Sequence, residues 1–122
     1  MEIPIKLYFK KKYVAKLKNY YYETPFASSN VVFDRKKIFD EIFFNKLVNV
    51  SYMKNYDLEL ENLGLSEIEE EKNWNSKLIE LGLSIEDLDL DNDLWGIEFE
   101  NGTYQEIYSI TFYKNFSIEW RM

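Results

Sequence analysis

Between Asp87 and Glu98 the chain sets carboxylates at Asp87, Asp89, Asp91, Asp93 and Glu98, and oxygen ligands at this density could hold a hard cation such as calcium. With Asp87 as the first residue of a twelve-residue loop, Asp89 and Asp91 fall at the third and fifth positions and Glu98 at the twelfth. Other carboxylates, Glu98, Glu100, Glu106 and Glu119, lie in segments that read as strands, where two on neighbouring strands could face each other as the acid and base of a hydrolase. Exposed Glu on an antiparallel sheet is the ordinary alternative. The remaining chemistry is bounded by residue types the chain lacks. It has no Cys and no His, which removes thiol nucleophiles, zinc sites built on those ligands, and every imidazole-based triad or proton shuttle. Gly64, Gly82, Gly96 and Gly102 are scattered and form no phosphate-cradling loop, and Ser28 and Ser29 have no base at a recognisable spacing. The chain reads as non-catalytic, with no cofactor.

The acidic stretch resembles the EF-hand calcium loop at five positions, Asp87, Asp89, Asp91, Leu94 and Glu98. It departs from it in three ways. Asn92 stands where the sharp turn needs Gly, the segment after Ser84 gives barely one turn of incoming helix, and Trp95-Gly96-Ile97-Glu98-Phe99 reads as a strand where a helix should leave. The plainer reading is an acidic loop with Leu88, Leu90 and Leu94 tucked inward and its carboxylates in water.

These residues need a scaffold, and a chain of 122 residues, 46% hydrophobic and 18% aromatic, is of a size to form a single domain over residues 1–122 with a real core. The net charge of -7 is unevenly spread. Residues 1–56 carry eleven Lys/Arg against five Asp/Glu, whereas residues 57–122 carry four against seventeen. An acidic chain is a poor general binder of nucleic acid, whose affinity comes from phosphate neutralisation. The basic segment Lys10-Lys11-Lys12, Lys16 and Lys18 is read as a solvated face in preference to a polyanion site. No apolar run reaches a membrane span of about 20 residues, and the first residues lack a signal-peptide layout, so a cytoplasmic location is expected.

Along the chain, Ile3, Ile5, Leu7 and Phe9 alternate as in a half-buried strand, with Pro4 suited to an edge. In residues 13–22, Tyr13, Leu17 and Tyr20/Tyr21 have helical spacing while the Tyr and Val content favours a strand, the preferred reading. Residues 24–30 read as a loop around Pro25. Asp34 then caps a helix to about residue 48, its stripe being Ile38, Phe39, Ile42, Phe43 and Leu47, widened by Phe44 and Val48 so that it is buried on more than one side. Val50 to Asn55 is open between a frayed end and a short strand.

Leu63-Gly64-Leu65-Ser66 recurs as Leu81-Gly82-Leu83-Ser84, each with an acid three places past the Ser, Glu69 and Asp87. Gly in a left-handed conformation ends a helix and Ser opens the next with the acid reaching back, so the unit is helix, tight corner, helix. It implies a short helix ending near Leu63, a second over Glu67 to Leu81 with Ile68, Trp74, Leu78, Ile79 and Leu81 inward, and a helical turn after Ser84. The C-terminal part alternates on both sides of Asn101-Gly102 and again after Lys114-Asn115, which gives a three-stranded meander. The expected class is α+β: an antiparallel sheet of four or five strands, the meander plus the N-terminal strand or strands, covered on one face by two or three helices.

In length near 120, acidic balance, α+β make-up and the closing pair Tyr108-Ser109-Ile110-Thr111-Phe112 and Ser117-Ile118-Glu119-Trp120-Arg121, the chain resembles the small immunity proteins that bacteria encode beside polymorphic or contact-dependent growth-inhibition toxins. The resemblance is one of type and implies one cognate toxin, often a nuclease, bound one to one by a monomer. Glu69, Glu70, Glu71, Asp87, Asp89, Asp91 and Asp93 would form the charged rim of the contact, with Trp74 as its anchor. A phage-encoded inhibitor of a host nuclease would use the same surface. A calcium module on residues 87–98, with Asp87, Asp89, Asp91 and Glu98 as ligands, is the alternative of a different class.

Overall fold

The computed structural model describes residues 3–33, 40–90 and 95–121. Two three-stranded meanders flank the helices: β1 (Pro4–Phe9), β2 (Lys12–Glu23) and β3 (Phe26–Phe33) before them, β4 (Trp95–Phe99), β5 (Tyr104–Tyr113) and β6 (Ser117–Arg121) after them. β3 pairs with β6 and β1 with β4, so the sheet closes into an antiparallel barrel in the order β1-β2-β3-β6-β5-β4. The fold is α+β as expected, but it has six strands and a closed sheet where four or five strands in an open sheet were anticipated. The additional strand is β3, read from the sequence as a loop. Its inward positions carry Ala27, Ser29 and Val31, and two of these are too small to register as an apolar alternation. Closure also leaves Pro4 without an edge to occupy, and it instead opens β1 opposite Phe99.

Residues 13–22 lie in β2, and their mixed periodicity has a local cause. The register with β3 shifts between Lys18 and Tyr21, where Asn19 adopts φ +56°. Leu17 points inward before this bulge and Tyr20 after it, stacked on Trp120 at 6.2 Å, so one inserted residue turns a period of two into apparent helical spacing. A similar shift in β5 between Tyr108 and Thr111, with Ser109 at φ +55°, places both Ile107 and Ile110 inside. The β1–β2 turn is made by Lys10 and Lys11 at φ +50° and +66°, positions that ordinarily take Asn or Gly.

Helix α1 (Glu41–Glu61) is capped by Asp40, whose side chain accepts from the Phe43 amide at 3.0 Å. The expected cap Asp34 and the stripe residues Ile38 and Phe39 lie outside the described residues. Ile42, placed in that stripe, is 80% exposed. The helix also runs on through 50–55 and absorbs the separate short helix expected before Leu63, because no Gly or Pro interrupts residues 41–61. It is buried on two sides. Phe44, Leu47 and Val48 close one end of the barrel, where Phe44 meets Phe33, Phe112 and Phe116 at ring distances of 5.6–5.7 Å. Val50 and Met53 face the other way, towards Leu78 and Leu83.

Two buried serines have opposite expected effects. The Ser51 hydroxyl accepts from the Phe112 amide at 3.1 Å and ties α1 to β5. Ser51→Ala orphans that amide and should cost about 1–3 kcal/mol in urea denaturation. The Ser29 hydroxyl is enclosed without a hydrogen-bond partner. Ser29→Ala removes a desolvated polar group and should stabilise the protein by about 1 kcal/mol in the same measurement.

Candidate functional site

The repeated corner motif positions the acidic segment. After α1, Gly64 at φ +67° turns the chain, and Ser66 caps α2 (Glu67–Glu80), its hydroxyl accepting from the Glu69 amide at 3.3 Å. After α2, Gly82 at φ +68° repeats the turn, and the Leu83 amide closes on the Leu78 carbonyl at 3.1 Å. A 3₁₀ helix, Ile85–Asp89, follows, with the Asp87 carboxylate accepting from the Ser84 amide at 2.9 Å. The helical hairpin is held to the rest by Asn49, whose amide donates to the Leu81 carbonyl at 3.2 Å, and by Lys46, 3.4 Å from Asp87.

Of the residues expected to form a contact rim, Glu69 and Glu71 are exposed on α2. Glu70 is half-buried, and Trp74 packs against the cluster of Val50, Met53, Leu78 and Leu83. Trp74 is thus half-buried in the seam between the helices. The apolar side chains that do face outward on α2 were expected inside: Ile68 is 81% and Ile79 78% exposed. Eleven residues of helix bring them to within about 20° of one stripe, roughly a quarter-turn around the helix from Leu78. Helical geometry places Glu71 on one flank of that stripe and Glu69 and Glu80 on the other.

Asp87 serves the fold. Its bond to the Ser84 backbone, opposed by burial and supplemented by Lys46, holds its carboxyl below the ordinary carboxylate value. The charged form therefore stabilises the fold above the ordinary carboxylate pKa, and that contribution is lost as the pH falls through the lowered folded value. Asp87→Asn should lose less stability than the parent when urea midpoints at about pH 6 and about pH 3 are compared.

Asp89 is exposed, and Asp91 and Asp93 lie outside the described residues. Of the other calcium candidates, Glu98 is on β4, where it accepts from the Tyr8 hydroxyl at 3.0 Å and pairs with Lys6 at 3.5 Å, while Asp87 is engaged with Ser84 and Lys46. Among the described residues no three acidic side chains are grouped to hold a metal ion.

A second constellation lies on the outer wall of the barrel, where β1, β4 and β5 bring Tyr8, Glu98, Tyr104 and Glu106 together with Lys11 around a shallow, open concavity of about 540 Å³. The carboxylates of Glu98 and Glu106 thus share one hollow, as the strand pattern allowed. The Tyr8 ring stands edge-on to Tyr104 at 5.4 Å and to Tyr13 at 6.0 Å. Burial, then the bond to Glu98, raises the Tyr8 pKa above its ordinary value; burial, then the Glu106 charge, does the same for Tyr104. Both phenols stay protonated donors. Gly96 makes this packing possible, because a Cβ there would fall 2.1 Å from the Tyr104 hydroxyl. Strand alternation alone could have placed Tyr8 outward; the pairing of β1 with β4, which a sequence does not display, brings it to Glu98.

No described helix is long and apolar enough to cross a membrane. Compared with known protein families, curated proteins and solved structures, the chain matches none.

Proposed function

We propose that the chain is a protein-binding inhibitor, an immunity protein that neutralises a basic cognate toxin, a nuclease being the class best suited, in the cytoplasm of the cell that makes both. The observation that carries this reading is α2: a fourteen-residue helix with Leu78 as its one buried residue, displaying Ile68 and Ile79 near its two ends on one outer stripe flanked by carboxylates. From residue 57 to residue 90 the helical layer has eleven Asp/Glu against two Lys. Such a surface steers a basic partner into contact, and its carboxylates can occupy a cleft built for phosphates, blocking the substrate. The two exposed isoleucines, about 16 Å apart along the helix, supply two apolar contact points that charge alone lacks. The complex is one to one, with the barrel as the rigid support.

The test is capture of the tagged chain from its native cell at low and high salt. A single stoichiometric basic protein, retained at low salt, weakened at high salt, and harmless to cells only when this chain is co-expressed, is the expected result. Recovery of no stoichiometric partner at either salt, or of one whose toxicity this chain does not relieve, overturns the reading.

A further inference from the structure

We infer that the hollow on the barrel wall between β1, β4 and β5 is a binding site for a neutral oligosaccharide, independent of the helical surface. The charges around it are balanced, two lysines against two carboxylates, and one of the two pairs, Lys6 with Glu98, is in contact. Lys6 lies 3.5 Å from Glu98 and 5.7 Å from the centre of the Tyr13 ring, and Lys11 shares the lining with Glu106. An anion would meet two carboxylates, a cation the ammonium group of Lys11 with that of Lys6 behind Glu98, and an apolar ligand a wall of charged and hydroxyl-bearing side chains. A ligand of many hydroxyls and no charge suits all of these groups at once. Carboxylates accept from hydroxyls, lysines donate to them, and a phenol does both. The C–H face of a pyranose can lie on a tyrosine ring, which is apolar in body and polar at the tip.

The site is also pre-formed. Tyr8 and Tyr104 are perpendicular, at 87°, and Tyr8 is fixed through its hydroxyl to Glu98. Tyr104 lies over the bare backbone of Gly96, where a Cβ would push the ring aside. Ring walls held in place cost little conformational entropy on binding, which matters where each hydrogen bond to a sugar replaces one to water. Glu98 is engaged by Lys6 and Tyr8, so the site is assigned binding and not hydrolysis.

The test is titration of the full chain with cellopentaose, maltopentaose and N-acetylchitopentaose, following the tyrosine ring signals by NMR. At least one should shift Tyr8 and Tyr104 saturably, with a Kd of about 1 mM or tighter. Tyr104→Ala and Glu106→Gln should each weaken this by about tenfold, the worth of one lost hydrogen bond or ring contact to the ligand, while Tyr21→Ala leaves it unchanged. Dispersed parental spectra for each variant separate lost binding from lost folding. No saturable shift with any of the three at about 10 mM, or shifts that survive both substitutions, overturns the inference. So do tyrosine shifts that arise with tetramethylammonium or inorganic phosphate and not with the sugars.

Discussion

Phe44→Ala should lower the stability of the protein by about 3–5 kcal/mol, the largest single loss expected from any side chain of α1. Phe44 is fully buried and stands in the mouth of the barrel, with Phe33, Phe112 and Phe116 around its ring. The rings that surround it belong to three different places in the chain, the end of β3, the body of β5 and the turn before β6, so they cannot all close on the space it leaves. A cavity therefore persists, and its cost adds to the lost transfer energy. A domain of this size is stable by about 5–15 kcal/mol, so the variant should remain folded in buffer yet unfold at a much lower urea concentration. Ile42→Ala, two residues away and 80% exposed, is the matched control and should change stability by less than about 0.5 kcal/mol. Equal losses for the two would mean that α1 does not close the barrel.

That contrast marks where the sequence was readable and where it was not. The second meander was legible because Asn101-Gly102 marks its first turn and apolar residues recur along its strands despite the bulge at Ser109, and the two Gly-Ser corners because each step of a helix stop and start has its own residue type. The closed barrel was not. Closure depends on the pairings of β3 with β6 and of β1 with β4, which join residues some ninety positions apart, as between Ala27 and Trp120, and leave no local pattern. The bulge at Asn19 blurred residues 13–22 by shifting the alternation within β2. The same limit governs the sites. Acidic side chains along residues 67–98 could be seen in advance, but their roles could not, since Asp87 and Glu98 are told apart from exposed Glu69 only by the partners that the fold brings to them.

Ile68 and Ile79 were misplaced for a related reason: an apolar residue on a helix is expected inside, and here, among the described residues, α2 is covered on one side, by α1 and by the segment of Leu83 and Leu88. Exposed, they become the most informative positions on the proposed contact. Replacing both with Ala should weaken binding to the captured partner by at least about 2 kcal/mol, or roughly thirtyfold, through faster dissociation. Folding stability should hardly change, because neither side chain is buried in the free protein. Glu69→Gln with Glu71→Gln should act on the other rate, slowing association at low salt and losing that effect as salt rises, because rim charges steer the encounter more than they hold the complex. Asp87 is left intact in this pair, since its loss would disturb the 3₁₀ turn and confuse a fold defect with a contact defect. Surface plasmon resonance on the two double variants separates the effects. If the isoleucine pair dissociates no faster than the parent, α2 is not the centre of the contact. If in addition the glutamine pair associates as fast as the parent at every salt concentration, the acidic layer is no part of it, and binding must be sought on the barrel.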